Sequence, residues 1–146
     1  MHPVIHINYL AVLASVAASM ALGFLWYGPL FGNVWKKEMN IPADFKPAPG
    51  AMNKPLLLMA IGSFLTAYVL AHSTEIWRAS VWGVGEDSHS ATYGFFAGFF
   101  TWLGFYVPLL LNKIGWEGKS WKLFFIDASF NFVALQAAGM ILAFWR

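Results

Sequence analysis

Four runs of apolar residues divide the chain, Val4 to Leu25, Pro55 to His72, Ala91 to Leu111 and Trp121 to Trp145, and most polar residues fall between them. The first run carries 22 residues without a formal charge, which as a helix extends about 33 Å. That is enough to cross a hydrocarbon core of about 30 Å. The runs are continuous rather than alternating at every second residue, so the pattern predicts membrane-spanning helices and no β-strands. Gly28 and Pro29 read as a stop after the first helix, and Asn53, Ser88 or Ser90, and Ser120 as caps of the next three. The predicted architecture is all-α, a single-domain integral membrane four-helix bundle over residues 1–146.

Composition narrows the class in the same direction. The chain is 59% hydrophobic and 11% charged, against about a quarter charged in ordinary soluble domains. Its mean hydropathy of +0.58 excludes a disordered polypeptide as well. Ser15, Val16 and Ala17 could imitate a signal-peptidase site, but no Lys or Arg precedes the run and apolar sequence continues past it, so the segment reads as a retained span. With no cysteine, disulfides and thiolate ligands are excluded. A formal charge of +2, with no basic stripe, leaves no footprint for nucleic acid.

Charge placement sets the expected direction. Lys36, Lys37, Lys46 and Lys54 fall in the first connection and Lys113, Lys119 and Lys122 in or beside the third, while only Arg78 and Arg146 lie on the other side. By the positive-inside rule the lysine-rich connections are cytoplasmic and both termini lie on the non-cytoplasmic side. Trp26, Tyr27, Trp35, Trp116 and Trp121 cluster near one boundary and Trp77, Trp82, Tyr93 and Trp145 near the other, as interfacial anchoring belts. Lys36 and Lys37 invite contact with anionic lipid headgroups. Ile76, Trp77, Val81 and Trp82 fit either a short helix lying on the membrane or an extension of the second span, ending near Gly83 and Gly85.

Stretches in both halves of the chain carry a family signature. Ile7-Asn8-Tyr9-Leu10-Ala11-Val12-Leu13 and Leu25-Trp26-Tyr27-Gly28-Pro29-Leu30-Phe31-Gly32, with Trp35 beyond, open the chain; Phe99 to Asn112, with Trp102, Gly104, Phe105 and Pro108, then Trp116-Glu117-Gly118 and Lys122-Leu123-Phe124, continue it. The chain resembles a domain-of-unknown-function family of small four-span bacterial membrane proteins. The resemblance implies the four-helix membrane fold and a bacterial cytoplasmic (inner) membrane, and brings no activity, cofactor or catalytic residue with it.

Within a bilayer, helices associate through small residues and interhelical hydrogen bonds. Ala11, Ser15, Ser19 and Gly23 recur at spacing four in the first span, with Asn8 on the same face, and Gly94 and Gly98 form a Gly-x-x-x-Gly pair in the third. These residues form the expected helix-packing face, directed at a neighbouring helix in the chain or at a second subunit. Asp127 is the one acid inside a predicted span, with Asn131 a turn away. Polar groups at depth are costly and mark pathways, so Asp127, Asn131 and Asn8, with Asn112 as a further member, form the candidate buried polar site, read either as an ion or proton site or as a structural hydrogen bond or ion pair near the headgroups. A lysine, Lys113, Lys119 or Lys122, is the expected partner of Asp127.

Other chemistry is thin. His2, His6, His72 and His89, with Glu75, Glu86 and Asp87, all fall on the outer side, but no ligand spacing singles out a metal. Nucleophile-elbow, zinc-protease, phosphate-loop and dinucleotide motifs are missing, so the expectation is a non-enzymatic protein without cofactor. Its expected partners are membrane lipids and either a second copy of itself, as a homo-oligomer, or another membrane subunit. The alternative reading is an oligomeric channel or transporter for a small solute or ion.

Overall fold

Asn8 starts the first helix, its side-chain oxygen accepting from the backbone N–H groups of Leu10 and Ala11 at 3.0 and 3.3 Å. The computed structural model describes residues 3–146. Its elements are α1 (Tyr9–Leu25), a π-helical turn (Trp26–Leu30), α2 (Gly32–Glu38), α3 (Asn53–Ile76), α4 (Ala79–Trp82), α5 (Ser90–Thr101), a second π-helical turn (Trp102–Tyr106), α6 (Val107–Glu117) and α7 (Trp121–Phe144). They make four apolar helices long enough to cross a membrane: Tyr9–Leu30, Asn53–Ile76, Ser90–Glu117 and Trp121–Phe144. The expected all-α four-span fold is therefore present.

Several predicted boundaries move. The first helix begins at Tyr9 rather than Val4, and Gly28-Pro29 does not stop it. A π turn absorbs the proline: the Phe31 N–H donates to Trp26 O at 2.8 Å, five residues back, so the chain crosses the position where proline has no N–H to give. The second span runs past His72 to Ile76, and the third past Leu111 to Glu117, 28 residues in all. At about 42 Å that third helix is longer than the hydrocarbon core, which puts Lys113 and Glu117 in or beyond the headgroups. Asn53 is the first residue of α3 rather than its cap, and α5 is capped by His89, whose Nδ1 accepts from the Ala91 N–H at 3.3 Å. Ser120 caps α7 as expected, accepting from Leu123 at 3.2 Å. The outer connection is both things the sequence allowed: α3 is extended, and the short helix α4 follows, ended by Gly83 in the left-handed region at φ 66°.

α7 is the hub, packing against α1, α3, α5 and α6. The core gathers Ala11 and Val12 of α1, Ala67, Leu70 and Ala71 of α3, and Leu135, Ala138 and Leu142 of α7. α3 and α7 are both 24 residues long and bury corresponding faces. Ala67, Leu70, Ala71, Thr74 and Glu75 occupy the same steps of α3 as Leu135, Ala138, Gly139, Leu142 and Ala143 of α7, and all ten are buried. The helices differ in their lysine-rich halves. α7 also buries Leu123, Ile126 and Ala128, whereas α3 has no buried residue before Ala67 and leaves Leu57, Leu58 and Ile61 exposed. α3 is packed at the terminal end and stands apart at the lysine-rich end.

Candidate functional site

Where α3 stands apart, a cavity of about 730 Å³ opens at the lysine-rich end, reached by Met59 from α3, Lys113 and Glu117 from α6, and Asp127 and Asn131 from α7. A deeper cavity of about 180 Å³ shares Met59, Phe130 and Asn131 with it and is edged by Ser19, Ser63 and Thr66. The two form one crevice of the size that holds a small ligand, mostly apolar with a few polar groups. Beyond Ser63 the Thr66 and Tyr106 hydroxyls, which also line the deeper cavity, meet at 2.9 Å.

Four hydrogen bonds converge on three consecutive residues of α7 at the crevice wall. Both π turns open with a Trp-x-Gly sequence, Trp26-Tyr27-Gly28 and Trp102-Leu103-Gly104. The Trp26 indole donates to Ile126 O at 3.1 Å and the Trp102 indole to Ala128 O at 2.8 Å. Between them the Tyr27 hydroxyl donates to Asp127 Oδ1 at 2.7 Å, and the Asn131 amide donates to Asp127 O at 2.7 Å. A π turn inserts a residue and re-aims the side chains that follow, and such turns concentrate at functional sites. Here they hold the turn that carries Asp127. Rings line the same wall: Tyr27 meets Trp35 edge-on with centroids 5.6 Å apart and Phe130 at 5.2 Å.

The residues chosen from sequence separate into three places. Asp127 and Asn131 come together at the crevice. Asn8 does not join them; it lies at the opposite end, where it caps α1 and donates to Arg146 O at 3.3 Å. Asn112 is exposed on α6. The direct partner of Asp127 is Tyr27 rather than a lysine, although Lys113 and Lys119 line the same cavity. Lys122 instead approaches Glu38, at 4.0 Å.

The small residues meet other helices of the same chain. Ala11 and Ser15 are buried, with Ser15 donating to Ala11 O at 2.8 Å. Ser19 faces the deep cavity, and Gly23 lies against Met59 and Phe130. Gly94 crosses Gly139 and Gly98 crosses Leu135, backbone on backbone: a Cβ at Gly94 would lie 2.6 Å from Gly139 O, and one at Gly98 would lie 2.9 Å from Leu135 O.

The terminal end is closed by charge. Arg78, 1% exposed, donates to Glu75 Oε1 at 2.9 Å, Ala143 O at 2.8 Å and Asp87 Oδ2 at 3.4 Å, and lies 4.7 Å above the Tyr93 ring. Arg146 completes the cluster through Glu75 at 2.7 Å and Asp87 at 3.3 Å. Donation from the Arg78 guanidinium to Ala143 O, in the last turn of α7, also complements the negative end of that helix. Asp87 lies well below the ordinary carboxylate range, chiefly because the Ser80 N–H donates to it at 2.9 Å, with the Ser80 hydroxyl and Arg78 adding to the effect. Sequence reading placed these charges on one side but missed the cluster, because the arginines are separated by most of the second half of the chain. The one available signal was the restriction of both arginines to the side that also carries Glu75 and Asp87.

The histidines stay apart in role. His72 Nδ1 pairs with Tyr68 O at 2.9 Å, His89 caps α5, and His2 lies outside the described residues. Among the described residues no three His, Asp or Glu side chains gather in a metal-holding group.

Comparison with known proteins bears on kinship. No solved structure matches the chain. The UPF0591 membrane protein of Schizosaccharomyces pombe is 32% identical over 63 residues, which is 43% of this chain and 43% of that protein, so the match spans less than half of either. A family model described as a protein of unknown function matches residues 10–143, from the first turn of α1 almost to the end of α7. This multi-pass membrane protein belongs to the DUF1761 family.

Proposed function

We propose that the protein is a non-enzymatic carrier that takes a small amphipathic solute into the crevice from the lysine-rich side. The observation that supports this reading is the difference between the two ends: one opens into a cavity leading to Asp127 and Asn131, and the other is shut by the Glu75–Arg78–Asp87–Arg146 cluster. Carriers keep their polar sites near mid-membrane and open to one side at a time. A single chain here supplies a site without a second subunit to enclose it. The lysine-rich side is taken as cytoplasmic and the membrane as a bacterial inner membrane. All seven lysines support that direction, and the two arginines opposite are paired with acids.

The test uses purified protein in lipid vesicles with a panel of small phenylalkyl amines, alcohols and acids. Binding or flux above protein-free vesicles is expected for at least one charge class, falling about tenfold in Asp127→Ala as a charge-assisted contact is lost. No binding and no flux for all three classes overturns the proposal.

A subunit role keeps one supporting observation. The small-residue contacts are filled within one chain, so a second copy or another membrane subunit has instead the aromatic groove of about 510 Å³ between α3 and α5, edged by Trp77, Tyr93, Phe96, Phe100 and Phe105.

A further inference from the structure

The donors around Asp127 leave one of its carboxylate oxygens unpaired. The Tyr27 hydroxyl goes to Asp127 Oδ1, an Asn131 N–H goes to Asp127 O, and the Trp26 and Trp102 indoles go to the neighbouring carbonyls. Asp127 Oδ2 and Asn131 Oδ1 make no hydrogen bond, yet neither is sealed away from solvent; among the described residues the buried polar side-chain atom without a partner is Gln136 Oε1. What the crevice offers a ligand is therefore a free carboxylate oxygen on Asp127, an acceptor beside the remaining N–H of Asn131, the rings of Tyr27, Trp35 and Phe130 around them, and deeper in the Ser19 and Ser63 hydroxyls, so the carboxylate is its one acidic group away from the mouth. Acceptors call for a donor, and an acid walled by aromatic faces selects a cation. Of the cavity's other charges, Glu117 ends α6 and Lys119 lies in the connection beyond, where water and headgroups screen them, while Lys113 stands a turn further in and shares a small recess with Asp127.

Taking the crevice as the solute site proposed above, we infer that its ligand class is a cationic amphiphile: a protonated amine on a small apolar body. The ammonium donates to Asp127 Oδ2 and Asn131 Oδ1, and the body lies along Met59 and Phe130. Lys113 lines the same cavity and, through its own positive charge, competes with that ammonium for Asp127. The inference therefore predicts opposite signs for two variants.

The experiment is calorimetric titration of the full chain in lipid nanodiscs with three probes of matched body, phenylbutylammonium, phenylbutanol and phenylbutyrate, against protein-free nanodiscs. The ammonium is expected to bind best. Asp127→Asn, which keeps an acceptor for Tyr27, is expected to weaken it by about tenfold or more, the scale of a charge-assisted hydrogen bond. Lys113→Ala is expected to tighten it several-fold. Butyrate or alcohol binding as well as the ammonium, or Lys113→Ala weakening the ammonium, overturns the cation assignment and leaves the crevice as a site of another class. No heat above background for any probe overturns the crevice site itself.

Discussion

At the residue scale, the absence of side-chain atoms matters as much as their presence. Gly94 and Gly98 let α5 approach α7 until backbone meets backbone, at Gly139 and Leu135. Gly98→Leu must push that contact apart, since a new Cβ lies 2.9 Å from both the Gln136 amide nitrogen, which can swing aside, and the Leu135 carbonyl oxygen, which cannot. Overpacking of this kind costs about 1–3 kcal/mol. Thermal unfolding in detergent is expected to show a lower midpoint for Gly98→Leu, with Gly62→Leu, where a Cβ meets open space, close to wild type. Equal midpoints for Gly98→Leu and wild type contradict the close approach. The spacing of Gly94 and Gly98 was legible in the sequence, because Gly-x-x-x-Gly has a packing reason. Which helix they meet was not, because the sequence holds no record of which faces oppose.

At the element scale, the clearest departures are the π turns. Gly28-Pro29 reads as a stop by every local rule, yet the chain passes through it, since widening one turn lets Phe31 reach back to Trp26 across the proline. Periodicity marks a span but not an inserted residue, so the aim of Tyr27 and Trp26 at α7 lay beyond pattern reading. The same holds for the outer connection, where Arg78 and Asp87 from the α3–α5 segment close over Glu75 and the end of α7. Asp87 has a folded-state pKa below its ordinary value, so it contributes stability at neutral pH that disappears as acid protonates it. The unfolding midpoint of wild type is therefore expected to exceed that of Asp87→Asn by a constant margin above about pH 5, with the margin closing below about pH 4. A margin that instead persists at low pH or grows contradicts an ionised Asp87 in the cluster.

At the scale of the whole molecule, four long apolar helices and a lysine-rich end were readable from apolar run length and charge placement, two signals with direct physical causes. The crevice was not, although two of its residues were. Asp127 and Asn131 share a helix face one turn apart, a local relation; Tyr27 reaches Asp127 across 100 positions of sequence. Asn8 was drawn to the same site as a polar residue in a predicted span and lies at the other end, because α1 and α7 run in opposite directions and present their depths in reverse. α3 decides whether a crevice exists at all, since its terminal half is buried against its neighbours and its lysine-rich half buries no residue. The chain has no cysteine of its own, so a single introduced thiol reports its surroundings alone. With the protein in sealed vesicles, a membrane-impermeant thiol reagent is expected to label Ser63→Cys, on the crevice wall, from the lysine-rich side only, and to leave Leu65→Cys, on the apolar outer face of α3, unlabelled. Labelling of Ser63→Cys from the terminal side, or none from either side, contradicts a water-accessible crevice between α3 and α7.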